Sequence, residues 1–310
     1  MRHFQNLTIP KLLAILIVYA FIPSAFAATA VATPHFEGKL YSPPGDARTT
    51  GVVFIGGSEG GLISANAIGP QLALMGFPVL GVKYHDGFLP GNRLAQVPLE
   101  TFSAAATWLA KQPNVTRVVL VGESRGGEAA LLTSLYAPHV VGVVGFVPSG
   151  YVWPAVGETD ADGPSAWTKG GTNIPFVQSI AGGARTPEDF SKSVREDRDI
   201  ERKTIPVESI PCKILLLGAD DDAVWPSGIW VREMAARHKA RGGKSELTAR
   251  TYENAGHRLL GTGPSPPSET FTWGNNQKFT AKFGGTDEGN LLARNTAWAE
   301  LLSFLGSFEK

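Results

Sequence analysis

The chain has 310 residues, 43% of them hydrophobic and 18% charged, and its 28 basic and 28 acidic residues give a net charge of zero. This length suffices for one large domain with a single core or for two small ones. The balanced charge argues against a surface that binds nucleic acid or anionic membranes. Cys212 is the only cysteine, so no intrachain disulfide can form, and we expect its thiol to be buried in the core.

The first 27 residues have the three parts of a secretory signal peptide. Arg2 and Lys11 precede an apolar run from Leu12 to Ile22, and Ala25-Phe26-Ala27 is the small-x-small pattern of a cleavage site. A membrane anchor is the alternative, but a spanning helix needs about 20 apolar residues and this run has about half that number. We therefore expect a mature chain, residues 28 to 310, that is secreted or periplasmic and has no stable membrane insertion.

From residue 28 onward, strand and helix patterns alternate. The predicted strands are Phe36 to Tyr41 at a sheet edge, Gly51 to Ile55, Pro78 to Val82, Val118 to Val121, Gly142 to Val147, Lys213 to Leu217 and Glu246 to Tyr252. The predicted helices run from a Ser64 cap to Met75, from Leu99 to Lys111, through Ala129 to Leu132, from Ser227 to about Lys239 and from Leu291 to Leu305. This alternation predicts an α/β fold with a mostly parallel, doubly wound sheet that helices cover on both faces.

Two long stretches interrupt the alternation. Residues 149 to 211 show little periodicity, which is typical of a lid, and we place a lid insertion at about residues 150 to 210. Within it, Arg185 to Lys203 has six basic and six acidic residues interleaved, which indicates a solvated charged helix rather than a site for a polyanion. Residues 261 to 286 are rich in Gly, Pro and Ser, and we predict that they are irregular.

The pattern around Ser124 predicts a sharp turn between a strand and a helix. The segment Gly122-Glu123-Ser124-Arg125-Gly126 matches G-x-S-x-G, directly after an apolar run rich in β-branched residues. In a nucleophile elbow the serine has a strained backbone, and the flanking glycines let strand and helix pass closely. Such a turn lifts the hydroxyl above the sheet and points the amides of the following helix at a developing oxyanion. We therefore predict that Ser124 is a nucleophile.

A serine nucleophile needs a base and an acid that orients the base. After a nucleophile elbow, the acid comes next along the chain and the histidine base follows it. His257 ends the segment Ala255-Gly256-His257 after a predicted strand, and Asp220, Asp221 and Asp222 follow the preceding strand. Asp222 is the first residue of a D-x-x-W-P segment, which is the usual continuation after the acid of such a site. Asp221, in contrast, lies at the commoner distance after Gly218. We prefer Asp222 and keep Asp221 as the alternative.

Besides a base and an acid, a serine nucleophile needs an oxyanion hole, which two backbone amides form. Arg125, after the serine, supplies the first, and Ser58 in Gly56-Gly57-Ser58-Glu59-Gly60-Gly61 is our choice for the second. This loop is neither G-x-G-x-x-G nor a P-loop, so we expect no nucleotide. No His, Cys or carboxylate group has metal-ligand spacing, and we expect neither a cofactor nor a metal.

The chain resembles the C-terminal catalytic domain of acyl-CoA thioesterases and bile acid-CoA:amino acid N-acyltransferases, which are dienelactone-hydrolase-like proteins with the α/β-hydrolase fold. The resemblance covers most of the mature chain and rests on the glycine loop at 56–61, Gly76-Phe77, Val97 to Glu100, Gly122 to Glu128, Pro148-Ser149, Ser165 to Thr168, Asp222 to Ser227, Ala255 to His257 and Gly284 to Thr286. It implies that the Ser or Cys nucleophile, the Asp and the His of that family correspond to Ser124, Asp222 and His257.

Two departures from the family modify the expected function. The larger members carry an N-terminal β-sandwich domain, which residues 28 to 50 are too short to form, and the transferase branch is associated with a cysteine where this chain has Ser124. We therefore expect an exported serine hydrolase that cleaves a small-molecule acyl ester or thioester through an acyl-enzyme. The aromatic side chains expected to line its acyl pocket are Trp153, Trp167, Phe176 and Trp225. The alternatives are an acyl-CoA thioesterase or acyltransferase proper, and a catalytically silent binding protein on the same fold.

Overall fold

The structure is a computed structural model that describes residues 28–87, 93–156, 163–179, 184, 186–272 and 278–309. The predicted signal peptide, residues 1 to 27, lies outside these described residues and stays a prediction. No helix within the described ranges is both long enough and apolar enough to cross a membrane.

The described chain contains thirteen strands and six α-helices. The strands are β1 (Ala28–Ala32), β2 (Glu37–Tyr41), β3 (Thr50–Ile55), β4 (Val79–Lys83), β5 (Val97–Pro98), β6 (Arg117–Glu123), β7 (Val140–Phe146), β8 (Trp167–Lys169), β9 (Thr172–Asn173), β10 (Lys213–Ala219), β11 (Leu247–Tyr252), β12 (Ser268–Thr272) and β13 (Lys278–Lys282). The helices are α1 (Ile63–Leu74), α2 (Glu100–Leu109), α3 (Arg125–Ser134), α4 (Pro187–Glu196), α5 (Ser227–Ala240) and α6 (Asp287–Gly306).

Eight strands form the central sheet, in the order β1-β2-β4-β3-β6-β7-β10-β11. The six strands from β4 to β11 in that order are parallel, and β2 pairs antiparallel with β4. The predicted doubly wound, mostly parallel sheet is therefore confirmed. The prediction that Phe36 to Tyr41 is an edge strand was wrong, because Ala28–Ala32 pairs antiparallel with β2 and occupies the edge.

Helices cover the sheet on both faces because alternate residues of each buried strand point to opposite sides. In β3, Val53 and Ile55 belong to the core beneath α2, α3 and α5, whereas Val52 and Phe54 belong to the core beneath α1 and α6. Cys212 is buried with a free thiol, as predicted. The two cores hold the carboxyl ends of β3, β6, β10 and β11 in one row, where the predicted site residues lie.

The segment between β7 and β10 contains regular structure. Strands β8 and β9 form a small sheet with β5, and α4 begins at a Thr186 capping box in which side chain and backbone bond reciprocally with Asp189. Helix α4 confirms the charged helix predicted within Arg185 to Lys203, whereas the role of the whole segment as a lid stays a prediction.

Two local predictions were wrong. Residues 261 to 286 are not wholly irregular, because β12 and β13 form an antiparallel hairpin in which Phe271 pairs with Phe279 and the Thr270 and Thr280 hydroxyls are hydrogen-bonded. Thr and Phe favour strands, and their cross-strand pairs outweigh the surrounding Gly and Pro. Ser64 does not cap α1: it lies inside the helix, and its hydroxyl donates to Glu59 Oε1 at 2.5 Å.

Candidate active site

Ser124 lies at the turn between β6 and α3, with φ 54° and ψ −120°. This is a backbone conformation that residues with a side chain rarely adopt. The flanking glycines are required by close backbone approach: a Cβ at Gly122 would lie 2.1 Å from the Gly126 carbonyl oxygen, and one at Gly126 would lie 2.1 Å from that of Ile55. The turn thus has the elbow geometry that the G-x-S-x-G motif predicts.

A continuous chain of hydrogen bonds joins three predicted site residues. Ser124 Oγ lies 2.9 Å from His257 Nε2, and His257 Nδ1 lies 2.8 Å from Asp222 Oδ2 and 3.0 Å from Asp222 Oδ1. Ser124 is 8% exposed and Asp222 6% exposed. The three side chains come from the ends of β6, β10 and β11, which meet because these strands are parallel neighbours or near neighbours.

The carboxylate of Asp222 is held by its own following segment. It accepts hydrogen bonds from the Ser227 hydroxyl at 2.6 Å and from the backbone amides of Val224 and Trp225 at 2.9 and 3.2 Å. The D-x-x-W-P segment therefore acts as a turn that fixes the Asp222 carboxylate beside His257. Asp221, the alternative acid, is exposed, and the structure does not bring its side chain to the histidine.

The charges around His257 favour its protonated form. Burial lowers the pKa of the imidazole, but the adjacent Asp222 carboxylate, and then Glu123 and Glu59, outweigh burial and raise the pKa above its ordinary value. Burial, and next the charge of Glu59, raise the pKa of Glu123 to about 7. The imidazole ring also packs edge-on against Trp225, with ring centroids 5.7 Å apart. The imidazole of His257 is therefore held between Asp222 and Trp225 and has three carboxylates near it.

The glycine loop after β3 lies directly beside the serine. A Cβ built on Gly57 would lie 3.4 Å from Ser124 Cβ, which is van der Waals contact, and 2.7 Å from Glu59 Oε2, which is a clash. The Gly57 amide donates to Glu59 Oε1 at 3.0 Å, so it is already engaged within the loop. The amides of Ser58 and Arg125 remain the predicted oxyanion donors.

The four aromatic residues expected to line an acyl pocket have different environments. Trp153 and Trp167 are 1% and 0% exposed, so they are interior residues and do not line an accessible surface. Their indole N–H groups donate to Ser149 Oγ at 2.8 Å and Glu128 Oε1 at 2.7 Å, respectively. Phe176 is partly buried against the core, and Trp225, which contacts His257, lies closest to the candidate reaction centre.

Sequence reasoning missed a buried ion pair on the first turn of α3. Arg125 Nη1 lies 3.0 Å from Glu128 Oε2, and both side chains are almost completely buried. Arg125 also donates to the carbonyl of Pro154 at 2.8 Å, and Glu128 accepts from the backbone amide of Trp153 at 3.0 Å. The pair thus ties the helix after the serine to the 150–210 insertion. Its signal in the sequence is two opposite charges three positions apart among Gly and Ala residues.

The described residues contain no group of three or more His, Cys, Asp or Glu side chains arranged to hold a metal ion. The hydrogen bonds of the candidate site join a hydroxyl, an imidazole and a carboxylate, an arrangement that can support acyl transfer at the hydroxyl.

Residues 97–308 match the family model described as BAAT / Acyl-CoA thioester hydrolase C terminal. The chain belongs to this family. The match includes Ser124, Asp222 and His257, and it confirms the resemblance drawn from the sequence motifs.

Individual relatives are distant. Acyl-coenzyme A thioesterase 3 of Mus musculus is 26% identical over 283 residues, which are 87% of this chain and 62% of the relative. Acyl-coenzyme A thioesterase 1 of Homo sapiens is 26% identical over 92% of this chain and 66% of its own length. Acyl-coenzyme A amino acid N-acyltransferase 1 of Mus musculus is 25% identical over 86% of this chain and 62% of its own length. The chain thus spans less than two thirds of the length of these relatives.

Solved structures share the fold of this family. A dienelactone hydrolase-like promiscuous phosphotriesterase from metagenomic libraries matches with a TM-score of 0.55 at 15% identity, over 91% of this chain and 98% of that one. A structure described as a dienelactone hydrolase of Klebsiella pneumoniae matches with a TM-score of 0.54 at 15% identity, over 90% of this chain and 97% of that one. These similarities show the α/β-hydrolase fold alone.

Proposed function

We propose that this protein is an exported serine hydrolase that cleaves acyl esters or thioesters through an acyl-enzyme. The observation that carries the proposal is the hydrogen-bonded chain from Ser124 through His257 to Asp222, with 2.9 Å between the hydroxyl and the imidazole. Membership of a thioester hydrolase family supports the same reaction class. A catalytically silent binding protein would not require a strained serine hydrogen-bonded to a base.

The geometry supports a two-step reaction. Ser124 Oγ attacks the acyl carbon while its proton moves to His257 Nε2, and Nδ1–H of the imidazolium is held by Asp222. The collapse of the tetrahedral intermediate expels the alcohol or thiol, which takes the proton from Nε2 and leaves an acyl-serine. Water then attacks the acyl-serine with His257 as base, and the acid product and free Ser124 are released.

Activity of the purified mature protein against matched esters and thioesters tests the reaction class. We expect turnover of both kinds of substrate and covalent labelling by a fluorophosphonate. Addition of amine or alcohol acceptors tests the acyltransferase alternative, because a transferase would form an amide or a new ester in place of the free acid. The absence of turnover and labelling would contradict the proposal.

The substrate proposed is an uncharged short or medium acyl ester rather than an acyl-CoA. A CoA site normally clusters Arg or Lys against the phosphates. In the insertion, four basic side chains are paired with acids within it, among them Lys203 with Asp197 at 2.6 Å and Arg195 with Glu188 at 2.6 Å. The carboxylates of Glu59 and Glu123 near His257 add negative charge close to the serine.

We predict that kcat/KM for a neutral ester exceeds that for the matching acyl-CoA and depends weakly on salt, because no charged steering is involved. Steady-state kinetics on acyl pairs of equal chain length, at two ionic strengths, measures both. A tenfold preference for the acyl-CoA, about 1.4 kcal/mol in transition-state binding, would contradict this prediction.

The pH dependence of kcat/KM should report the environment of His257. The base must be neutral to accept the Ser124 proton, so activity rises with pH through the imidazole pKa of the free enzyme. Because the surrounding carboxylates raise that pKa, we expect the midpoint of the rise above about 6.5. Glu123→Gln removes a carboxyl group whose own pKa of about 7 leaves it partly ionised in this range, and it should move the midpoint to lower pH.

Glu253→Gln is the matched control, since Glu253 is exposed and is not among the charges that raise the His257 pKa. An unchanged midpoint in Glu123→Gln, or an equal change in the control, would contradict the assigned cause.

Export is proposed from the sequence of residues 1 to 27. Mass spectrometry of the protein from the periplasm or the culture medium should find an N-terminus near Ala28. Retention of Met1 in an intact membrane-bound chain would contradict export of a cleaved protein.

A further inference from the structure

The backbone of the glycine loop is hydrogen-bonded by a tyrosine that follows the neighbouring strand. Tyr84 directly follows β4, which is the parallel neighbour of β3, so its side chain meets the loop that follows β3. Its hydroxyl oxygen lies 2.8 Å from the Gly56 carbonyl oxygen and 2.7 Å from the Gly57 carbonyl oxygen. One phenolic proton is therefore shared between two successive peptide carbonyls.

These contacts determine where the next amide points. The peptide bonds of the described residues are trans, and in a planar trans peptide the N–H points opposite to the C=O. Because Tyr84 holds the Gly57 carbonyl, the Ser58 N–H of the same peptide is directed to the opposite side. The preceding peptide is held at both ends, since Tyr84 binds the Gly56 carbonyl and Glu59 Oε1 accepts from the Gly57 N–H.

The Ser58 amide is thus an unengaged donor, because it makes no hydrogen bond to any of the described residues. It also lies next to the nucleophile, because a Cβ on the adjoining Gly57 would be 3.4 Å from Ser124 Cβ. A fixed, unpartnered amide beside a nucleophilic serine has the properties of an oxyanion donor.

Tyr84 is itself held rigidly. Its ring packs edge-on against Phe102 at 5.3 Å and contacts Trp167 at 5.8 Å, and Trp167 is in turn hydrogen-bonded to buried Glu128. Burial, and next the charge of Glu59, raise the pKa of the Tyr84 hydroxyl well above its ordinary value, so the hydroxyl keeps the proton that it donates.

We propose that Tyr84 is a positioning residue of the oxyanion hole: its hydroxyl clamps the carbonyls of Gly56 and Gly57 and so aims the Ser58 N–H at the oxyanion that forms when Ser124 attacks the acyl group. This inference rests on the proposed serine hydrolase function. A pre-aimed donor stabilises the transition state without reorganisation of the loop during the reaction, whereas a freely rotating glycine peptide would have to be ordered at that moment.

Tyr84→Phe tests the clamp, because it removes the hydroxyl and keeps the packed ring. Loss of an oxyanion donor costs about 10² to 10³ in rate, and a donor that remains but is poorly aimed should cost less, so we expect kcat/KM to fall by about 10 to 100-fold. Tyr252→Phe is the matched control, since the Tyr252 hydroxyl is buried without a hydrogen-bond partner among the described residues. Its kcat/KM should stay close to that of the wild type.

Two inhibitors separate aiming of the oxyanion donor from a merely structural role. A trifluoromethyl ketone with a short acyl chain adds to the serine and forms an oxyanion, whereas the matching methyl ketone binds without forming one. In Tyr84→Phe the inhibition constant of the trifluoromethyl ketone should rise by the same factor by which kcat/KM falls, and that of the methyl ketone should not change. Thermal unfolding of both variants shows that they are folded.

Equal losses of affinity for both ketones, or wild-type activity in Tyr84→Phe, would overturn the inference and leave the proposed function intact. A wild-type protein that hydrolyses no ester or thioester and takes no fluorophosphonate label would instead overturn the proposed function, and the inference with it.

Discussion

Ser124→Ala should lower kcat by about 10⁶-fold and abolish fluorophosphonate labelling, because removal of a triad nucleophile leaves only the catalysis supplied by binding and the oxyanion hole. The Ser124 hydroxyl is bonded to His257 and makes no contact that the core needs, so the variant should remain folded. Initial rates on a neutral ester and mass spectrometry of the labelled protein measure the two effects, and thermal unfolding measures the stability.

The control for this variant is Ser303→Ala, which removes an exposed hydroxyl from α6 on the outside of the fold. It should be labelled and should turn over substrate like the wild type. Full labelling of Ser124→Ala would show that another side chain is the nucleophile and would contradict the assignment of Ser124.

Asp222→Asn should lower kcat by about 10⁴-fold, because an amide that donates to His257 Nδ1 stabilises the wrong tautomer of the base. The carboxylate accepts from Ser227, Val224 and Trp225 as well as from His257, so a side chain of the same shape should preserve the turn. We therefore expect little change in the free energy of unfolding. Measurement of kcat together with thermal unfolding distinguishes loss of the acid from loss of the fold.

Asp221→Asn is the matched control, since it removes the neighbouring carboxylate from an exposed position. It should lower kcat far less than Asp222→Asn does. The reverse order of effects would assign the acid role to Asp221, which is the alternative that sequence reasoning left open.

The sequence by itself determined the local parts of this protein. The apolar, β-branched strand before Ser124 and the flanking glycines predicted the elbow, and the structure shows why no larger residue fits at Gly122 or Gly126. The alternation of strand and helix patterns predicted the parallel sheet, and the ends of successive strands placed His257 and the aspartates at one edge of it. Such features depend on neighbours in the chain and on the strand period, which are readable without a fold.

Only the tertiary structure decided which side chains meet. Ser124 and His257 are 133 residues apart, and Asp222 rather than Asp221 reaches the imidazole because the turn to Ser227 buries its carboxylate. Trp153 and Trp167 resembled ligand-lining residues in the sequence, but their N–H groups have partners in the interior. Burial and hydrogen bonding between distant segments depend on packing, and the local sequence does not encode which polar group will be desolvated or what will satisfy it.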